Sequence, residues 1–317
     1  MSKRRILDYL VYAAVRLTVC VIQALSIEQG RWIAAKLAAI AYWATPKKRD
    51  IAKDNLRLAF PGRYAEAELD RLVFEVYRHF LNVVIEIAHV PRKLHANNWR
   101  RYIRLQNADR VVGALLRDQP VILLTGHFGN WEIAGYVFGV FGFPSYSVAR
   151  PLDNPYLDRF LRRFRERTGQ HLIPKKGGFD QILEVLGRNG LLSFLADQDA
   201  GSRGLFVEFF GRPASTHKAI ALMALEHRCP ILVGYARRTG ERFHYEVGCP
   251  GGIEMGELAG SADDVRELTQ RFTTLLEGVV RSAPEQYLWL HRRWKSRPGQ
   301  RRSRRKTPAW TQRGAAL

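Results

Sequence analysis

A histidine and a glutamate that could act together in acid–base chemistry lie close together in residues 120–135. His127 stands in a loop that contains Gly126 and Gly129, and Glu132 follows it by five residues. An imidazole can act as a general base when a carboxylate holds one ring nitrogen and the other nitrogen faces a substrate. On one continuous helix the two side chains would point about 140° apart. We therefore expect His127 to lie outside the helix that carries Glu132, where the glycines let the backbone bend.

The elements around His127 predict how it is placed. Residues 121–125 are apolar or β-branched and are typical of a buried parallel strand. Asn130 is a good N-cap for a helix that starts at Trp131. Ligands of open α/β sheets bind outside the carboxyl ends of the strands, which favours a functional histidine here over an ordinary loop residue. A metal site is not predicted, because there is no His-x3-His and no third ligand nearby.

The composition limits the partners of the chain. It has 317 residues, 46% of them hydrophobic, and a formal net charge of +20, which favours anionic partners such as nucleic acid, anionic lipid, phosphorylated substrates or acidic proteins. Charge alone does not choose among these classes. Cys20, Cys229 and Cys249 are widely spaced, so they indicate a reducing environment and neither a disulfide framework nor a zinc site.

The N-terminal 45 residues are predicted to associate with a membrane. Lys3, Arg4 and Arg5 precede an apolar run over 6–27 that is about long enough to cross a bilayer. A helix lying in the membrane interface is the alternative. The basic end is expected in the cytoplasm, and a second apolar helix follows over 32–43.

Strand and helix patterns alternate from about residue 119 to 282. Further strands are predicted over 145–149, 171–174, 191–196 and 230–235, and an alternating strand over 243–247 is expected at a sheet edge. This order predicts an α/β fold with a mostly parallel sheet flanked by helices. We assign it to residues 46–296, followed by a basic and disordered tail over 297–317.

Basic residues near the predicted strand ends are candidates for binding an anion. Arg150 follows the strand over 145–149, where a guanidinium could bind a phosphate or an oxyanion, although it could equally cap a helix or pair with an acid. Lys175 and Lys176 precede two glycines in a loop that suits a phosphate or a solvated turn.

The stretch over 126–132 resembles the His-x4-acid motif of the glycerolipid acyltransferase superfamily, and most closely that of the late lipid A biosynthesis acyltransferases. Three further blocks resemble the family in the same order, over 150–155, 197–216 and 287–293. The resemblance extends over residues 45–296. Other members of the superfamily often have Asp where Glu132 stands.

The resemblance implies acyl transfer to a lipid hydroxyl, with His127 as the general base and Glu132 orienting it. The expected acceptor is a phosphorylated lipid A precursor, and the expected donor is acyl carrier protein or acyl-CoA, with no metal, cofactor or covalent intermediate. The acceptor would be bound by five polar residues: Arg150, Asn154, Lys175, Lys176 and Arg203. The expected location is the bacterial inner membrane, with the active site on the cytoplasmic side.

Three alternatives stay open at this point. Relatives of the family acylate other membrane glycolipids, such as phosphatidylinositol mannosides. A non-catalytic membrane protein of the same fold would not need His127. A nucleic-acid-binding protein would fit the charge but not the apolar N-terminal run, and the sequence has no RNP, KH or helix-turn-helix signature. Nucleic acid is therefore not expected as a partner.

Overall fold

The computed structural model describes residues 3–258, 260 and 263–299. The α-helices in these residues are α1 (Lys3–Ala24), α2 (Ile27–Ala44), α3 (Pro46–Ala59), α4 (Glu66–Lys93), α5 (Ala108–Leu115), α6 (Trp131–Val140), α7 (Pro155–Glu166), α8 (Phe179–Gly187), α9 (Ala219–Glu226) and α10 (Asp264–Ser282). The strands are β1 (Ile103–Gln106), β2 (Val121–Thr125), β3 (Ser145–Ala149), β4 (Gln170–Pro174), β5 (Leu191–Leu195), β6 (Leu205–Phe209), β7 (Arg212–Thr216), β8 (Ile231–Arg238) and β9 (Tyr245–Ile253).

Seven of these strands form one sheet in the order β1-β9-β8-β2-β5-β3-β4. The central strand β2 runs parallel to β5 on one side and to β8 on the other. Among the described strands of this sheet, only β8 and β9 pair antiparallel. The predicted α/β fold with a mostly parallel sheet is confirmed. Strands β6 and β7 form a separate antiparallel hairpin.

Strand β2 is buried on both faces, which explains its continuous run of apolar residues. Ile122 and Leu124 belong to the core that includes α4, α9 and α10. Val121 and Leu123 point to the opposite face and belong to a smaller core with residues of α5. Helices therefore cover both faces of the sheet, and the loop after β2 leaves the sheet at its middle.

Strand β9 differs from its predicted position. The alternating residues 243–247 are expected at an edge, but β9 lies between β1 and β8. The reason is β1, a strand of four residues that the sequence analysis does not predict and that pairs with the start of β9.

The N-terminal helices pack against the rest of the chain by different means. Helix α2 lies along α4, and a Cβ atom on Gly30 would come within 2.7 Å of Ile85, so this contact depends on the absence of a side chain. Helix α1 contacts α7 through the rings of Tyr9 and Tyr12, whose centroids lie 5.5 and 6.0 Å from that of Tyr156.

The predicted apolar helix at the N-terminus is confirmed. Among the described residues, Arg4–Ala24 is the helix long and apolar enough to cross a membrane, and none of its most apolar window is buried. The predicted domain limits stay a prediction. The limit at residue 45 coincides with the break between α2 and α3. Most of the predicted tail, residues 300–317, lies outside the described residues.

Candidate active site

The loop that carries His127 connects the end of β2 to the start of α6. Gly129 has a φ of +57°, and a Cβ atom there would lie 2.0 Å from the carbonyl oxygen of Ala236. Only glycine combines this backbone conformation with this close approach. Asn130 then begins α6, because its side chain accepts a hydrogen bond from the backbone N–H of Ile133 (3.2 Å). The predicted order of strand, glycine loop and helix is confirmed.

His127 is held by Asp197, which stands two residues beyond the end of the neighbouring strand β5. Its Nδ1 lies 2.9 Å from Oδ1 of Asp197, and its backbone N–H donates to Oδ2 of the same carboxylate (2.9 Å). The register of the sheet explains this contact. Thr125 of β2 pairs with Leu195 of β5, so the residues two positions beyond each strand end also face each other.

The electrostatics of this pair define the state of the imidazole. Burial disfavours the imidazolium, but the carboxylate of Asp197 outweighs burial and raises the pKa of His127. Burial by itself would raise the pKa of Asp197, but the interaction with His127 is stronger, so the pKa of Asp197 is lowered. The ionised carboxylate accepts the hydrogen from Nδ1, so Nε2 carries the lone pair. The imidazole keeps 17% of its side-chain surface exposed, whereas Asp197 keeps 3%.

The predicted contact between Glu132 and His127 is wrong. Glu132 forms a two-pronged ion pair with Arg165 of α7, whose Nε donates to Oε2 of the glutamate (2.9 Å). Glu132 stands in the first turn of α6, on the side that faces α7. The carboxylate at the imidazole is instead that of Asp197, just beyond β5. Glu132 still acts on His127 through its charge, which adds to the rise of the imidazole pKa.

The remaining predicted site residues are dispersed. Arg150 is exposed and pairs with Asp153 on the surface (2.7 Å), which was one of the alternatives for it. Asn154 caps α7 by accepting from the N–H groups of Tyr156 and Leu157, and its Nδ2 donates to the carbonyl of Asp8 in α1 (2.8 Å). It therefore has a structural role.

The three other basic candidates are exposed near strand ends. Lys175 and Lys176 follow β4, and Arg203 lies in a short 3₁₀ turn after β5. In the described part of the chain, none of these three side chains makes an ion pair with a carboxylate within 4.0 Å. Lys175 lies near His217, whose pKa is lowered first by burial and then by this lysine.

The segment after α10 pairs with the backbone of the loop that carries His127. The N–H of Gly129 donates to the carbonyl of Gln286 (2.9 Å), and the N–H of Leu288 donates to the carbonyl of His127 (3.0 Å). His291 follows, and its Nε2 accepts from the backbone N–H of Asp199 (3.2 Å). These contacts explain why the block over 287–293 belongs to the same site as His127, although it is far away along the chain.

A buried polar network supports the other side of the same loop. His79 of α4 lies between the carbonyl of Gly129 (3.0 Å) and the guanidinium of Arg238 (2.8 Å). An arginine only donates, so Nδ1 of His79 accepts and Nε2 carries the hydrogen. Burial, then the charge of Arg238, lowers the pKa of His79 to about 3. Glu86 accepts from Arg238 (3.3 Å) and from Asn130 (3.2 Å).

These partners were not predicted from the sequence, for a common reason. Asp197 stands just beyond a predicted strand, and an acid at the carboxyl end of a buried strand is the signal that could have identified it. No pattern in the sequence pairs Glu132 with Arg165 or His79 with Gly129, because these contacts join distant elements.

An apolar cavity of about 350 Å³ lies next to the loop that carries His127, and its lining includes Thr125 before that loop and Trp131 after it but not His127 itself. Trp131 forms part of its wall, and the indole lies 5.2 Å from the imidazole between ring centroids. Glu132 and Arg165 also line it, and their ion pair is the main charged feature of the wall. The rest of the wall is largely apolar and comes from α5, α6, the loop after α6 and the sheet, including Val111, Leu115, Val137, Phe138, Phe141 and Phe143.

The described residues contain no group of three His, Cys, Asp or Glu side chains placed to hold a metal ion.

Comparison with known proteins identifies the family. Residues 1–296 match the family profile described as bacterial lipid A biosynthesis acyltransferase. The chain is 25% identical over 270 residues to a lipid A biosynthesis palmitoleoyltransferase of Escherichia coli, covering 84% of this chain and 85% of that protein. It is 26% identical over 269 residues to a lipid A biosynthesis lauroyltransferase of the same organism, covering 83% and 84%.

A second group of relatives has a different acceptor in its name. The chain is 26% identical over 235 residues to a phosphatidylinositol mannoside acyltransferase of Mycobacterium tuberculosis, covering 65% of this chain and 71% of that protein. Both groups are named as acyltransferases. The chain therefore belongs to the bacterial lipid A biosynthesis acyltransferase family and is an acyltransferase that acts on lipid A-like glycolipids.

Proposed function

We propose that the protein transfers a fatty acyl chain from acyl carrier protein, or from acyl-CoA, to a hydroxyl of a lipid A precursor. The observation that carries this proposal is an apolar cavity whose wall includes Trp131, the ring that packs against the imidazole of the His127–Asp197 pair. A cavity with a largely apolar wall suits a hydrocarbon chain. The thioester at the end of that chain would then lie near the imidazole, where the acceptor hydroxyl must also bind.

The residues support a mechanism with one base. Nε2 of His127 takes the proton of the acceptor hydroxyl while the oxygen attacks the thioester carbonyl carbon. The tetrahedral adduct collapses, the C–S bond breaks, and the leaving thiolate takes the proton back from Nε2. An ester and a thiol are the products. Asp197 keeps the hydrogen on Nδ1 and stabilises the imidazolium that forms between the two steps.

Glu132 and Arg165 have a positioning role in this proposal. Their ion pair joins the first turn of α6 to α7 at the wall of the cavity, and both partners are largely buried. The charge of Glu132 also favours the imidazolium of His127. We do not assign the orientation of the imidazole to Glu132.

The remaining charged residues fit anionic substrates. Arg150, Lys175, Lys176 and Arg203 are exposed and are proposed to attract the phosphorylated acceptor or the acidic carrier protein. Asn154 is not proposed to bind substrate, because its side chain is engaged by α7 and α1. Basic residues at the start of α1 favour the cytoplasmic face of the bacterial inner membrane as the location of the enzyme.

A panel assay tests the proposal. The detergent-purified protein is offered acyl carrier protein and acyl-CoA donors with lipid A precursors and a phosphatidylinositol mannoside, and products are read by mass spectrometry. We expect one added acyl chain on a lipid A precursor, lost in His127→Ala. His95→Ala, which replaces an exposed histidine on another part of the chain, is the matched control and should retain activity.

Each alternative has a distinct outcome. If only the phosphatidylinositol mannoside is acylated, the acceptor is that glycolipid and not a lipid A precursor, while the acyl-transfer reaction stays as proposed. Full activity of His127→Ala would overturn the role of the base. Transfer from acyl-CoA but not from the carrier protein would overturn the carrier protein as donor.

A further inference from the structure

A second cavity, of about 510 Å³, lies on the same edge of the sheet as His127. The 3₁₀ turn before β1 and the loop between β8 and β9 form its wall. Strand β8 is parallel to β2, so both strands end at the same edge of the sheet. Strand β9 is antiparallel to β8 and starts at that edge, so the β8–β9 loop also lies there. Strand β1 is parallel to β9 and starts at the same edge.

Four arginines line this cavity, and they come from both sides of it. Arg100, Arg101 and Arg104 belong to the 3₁₀ turn and β1, and Arg242 belongs to the β8–β9 loop. His244 stands beside Arg242. Within the described part of the chain, none of the four guanidinium groups makes an ion pair with a carboxylate within 4.0 Å. The four arginines differ from other arginines without an ion pair in that they surround one concave surface.

The neighbouring acids already have partners. Glu241 lines the cavity, but its carboxylate lies 3.7 Å from Arg78 of α4. Glu246 is opposite Arg104 in the sheet register, but it accepts from Arg237 (2.7 Å) and from the hydroxyl of Tyr235 (2.7 Å). The four arginines outnumber the one carboxylate that lines the cavity, so the concave surface carries a net positive charge.

Aromatic rings hold two of the guanidinium groups in place. Arg100 lies over the ring of Trp99 at 4.5 Å, and Arg101 lies over the ring of Tyr102 at 5.7 Å. A guanidinium that lies over a ring can still donate hydrogen bonds from N–H groups that the ring does not cover. Such forks match the oxygens of a phosphate, and partial immobilisation by the rings reduces the entropy lost on binding.

We propose that this arginine cluster (Arg100, Arg101, Arg104 and Arg242) binds a phosphate group of the glycolipid acceptor while another part of the same headgroup lies at His127. Strand β1 begins three strands from β2, a separation of about 14 Å at the usual strand spacing. The acceptor must therefore carry its phosphate on a different part of the headgroup from the reacting hydroxyl. The inference rests on the proposed function for the identity of the acceptor, but the binding step does not require turnover.

The test uses a neutralised cluster and a charge-matched control on the full chain. Arg101→Gln/Arg104→Gln/Arg242→Gln removes three of the four charges. Arg117→Gln/Arg188→Gln/Arg228→Gln removes three exposed arginines that precede β2, β5 and β8, at the opposite edge of the sheet. The probe is a lipid A precursor with its phosphate groups, compared with the same glycolipid after enzymatic dephosphorylation, and binding is measured by titration calorimetry in detergent.

The proposal predicts a specific loss. The cluster variant should bind the phosphorylated probe at least about tenfold more weakly than the wild type, as expected for lost charge-assisted hydrogen bonds. It should bind the dephosphorylated probe as the wild type does, and the control variant should match the wild type with both probes. Unchanged binding of the phosphorylated probe by the cluster variant would overturn the proposal.

A vesicle assay separates the acceptor from the bulk membrane. Vesicles of phosphatidylcholine and phosphatidylglycerol replace the glycolipid. If the cluster variant loses vesicle binding but keeps the affinity for the phosphorylated glycolipid, the arginines bind membrane phospholipid and the proposal fails. Failure of the proposed function looks different: the phosphate-dependent binding would persist without any acyl transfer. If the cluster variant turns over with an unchanged KM for the acceptor, the binding role of the arginine cluster is refuted and the proposed function still stands.

Discussion

The state of one imidazole governs the proposed chemistry, and Asp197 determines that state. The carboxylate accepts the hydrogen on Nδ1 and leaves Nε2 free to act as a base. It also raises the pKa of His127 against the opposing effect of burial. A stronger base is better able to take a proton from a hydroxyl, but it is protonated over a wider pH range, so activity should require a higher pH than a free histidine would.

Replacing Asp197 with Asn tests this dependence. We expect Asp197→Asn to lower kcat by about 100-fold or more, because the orienting acceptor and the stabilising charge are lost. The acid limb of the pH–rate profile should also move to lower pH, since the pKa of His127 falls without the carboxylate. Asp153→Asn, which changes an exposed aspartate, should affect neither quantity. An unmoved acid limb in Asp197→Asn would contradict the assignment.

His79 provides a prediction about stability and pH. Its pKa is about 3 in the folded protein and about 6.5 when unfolded. A histidine with a depressed pKa stabilises the fold fully above its unfolded pKa, and this contribution is lost as the pH falls toward the folded value. Between pH 7.5 and 5 the loss should be about 2 kcal/mol.

Chemical unfolding at the two pH values measures this loss. The wild type should lose more free energy of unfolding between pH 7.5 and 5 than His79→Gln, which keeps a donor for Gly129 but does not titrate. His95→Gln changes an exposed histidine and should behave as the wild type. Equal losses in the wild type and His79→Gln would show that His79 is not the buried neutral base described above.

At the scale of elements, one ion pair joins α6 to α7. Both side chains of the Glu132–Arg165 pair are largely buried, at 7% and 16% exposure. Removal of one partner from a buried pair leaves an uncompensated charge, whereas removal of both is far less costly. The pair therefore fixes the two helices relative to each other and keeps the wall of the apolar cavity in place.

A double-mutant cycle tests this coupling. Arg165→Met should lower the free energy of unfolding by about 3–5 kcal/mol, because Glu132 is left buried and charged. The double variant Glu132→Gln/Arg165→Met should recover part of that loss. Arg188→Met, which breaks an exposed pair with Glu184, is the control and should cost less than about 1 kcal/mol. Additive losses in the double variant would show that the two residues act independently.

At the scale of the whole molecule, α1 is the element that could hold the enzyme in a membrane. Its apolar surface is exposed along its length, while Tyr9, Tyr12 and Arg16 contact α7, with Arg16 lying 4.8 Å from the ring of Phe160. One face of the helix thus packs against α7, and much of its remaining apolar surface is exposed.

Deletion of residues 1–25 tests the role of α1 and leaves Ser26 to cap α2. We expect the truncated protein to move from the membrane to the soluble fraction, because the deletion removes a helix that is long and apolar enough to cross a membrane and whose most apolar window is not buried. A deletion of 300–317 serves as the control and should remain with the membrane. If the first truncation still floats with vesicles, the attachment lies elsewhere, and the exposed Trp32, Ile40 and Trp43 of α2 would be the next surface to test.

Local patterns in the sequence determined most of the elements. The apolar run over 121–125, the two glycines and the N-cap Asn130 predict the strand, the loop and the helix around His127, because these features depend on residues close in sequence. The order of the four family blocks predicts the family. Local patterns did not predict β1, because this strand has only four residues. Since β1 pairs with β9, the predicted edge position of β9 was wrong as well.

Only the tertiary structure decided which groups meet. His127 was expected to use the nearest acid along the chain, but β5 lies beside β2 and brings Asp197 from 70 residues away. The order of strands in a sheet is set by the packing of all the elements together, and no short stretch of sequence encodes it. For the same reason, the sequence identified chemically competent residues, whereas the choice of partners for His127, Glu132 and the arginine cluster belongs to the fold.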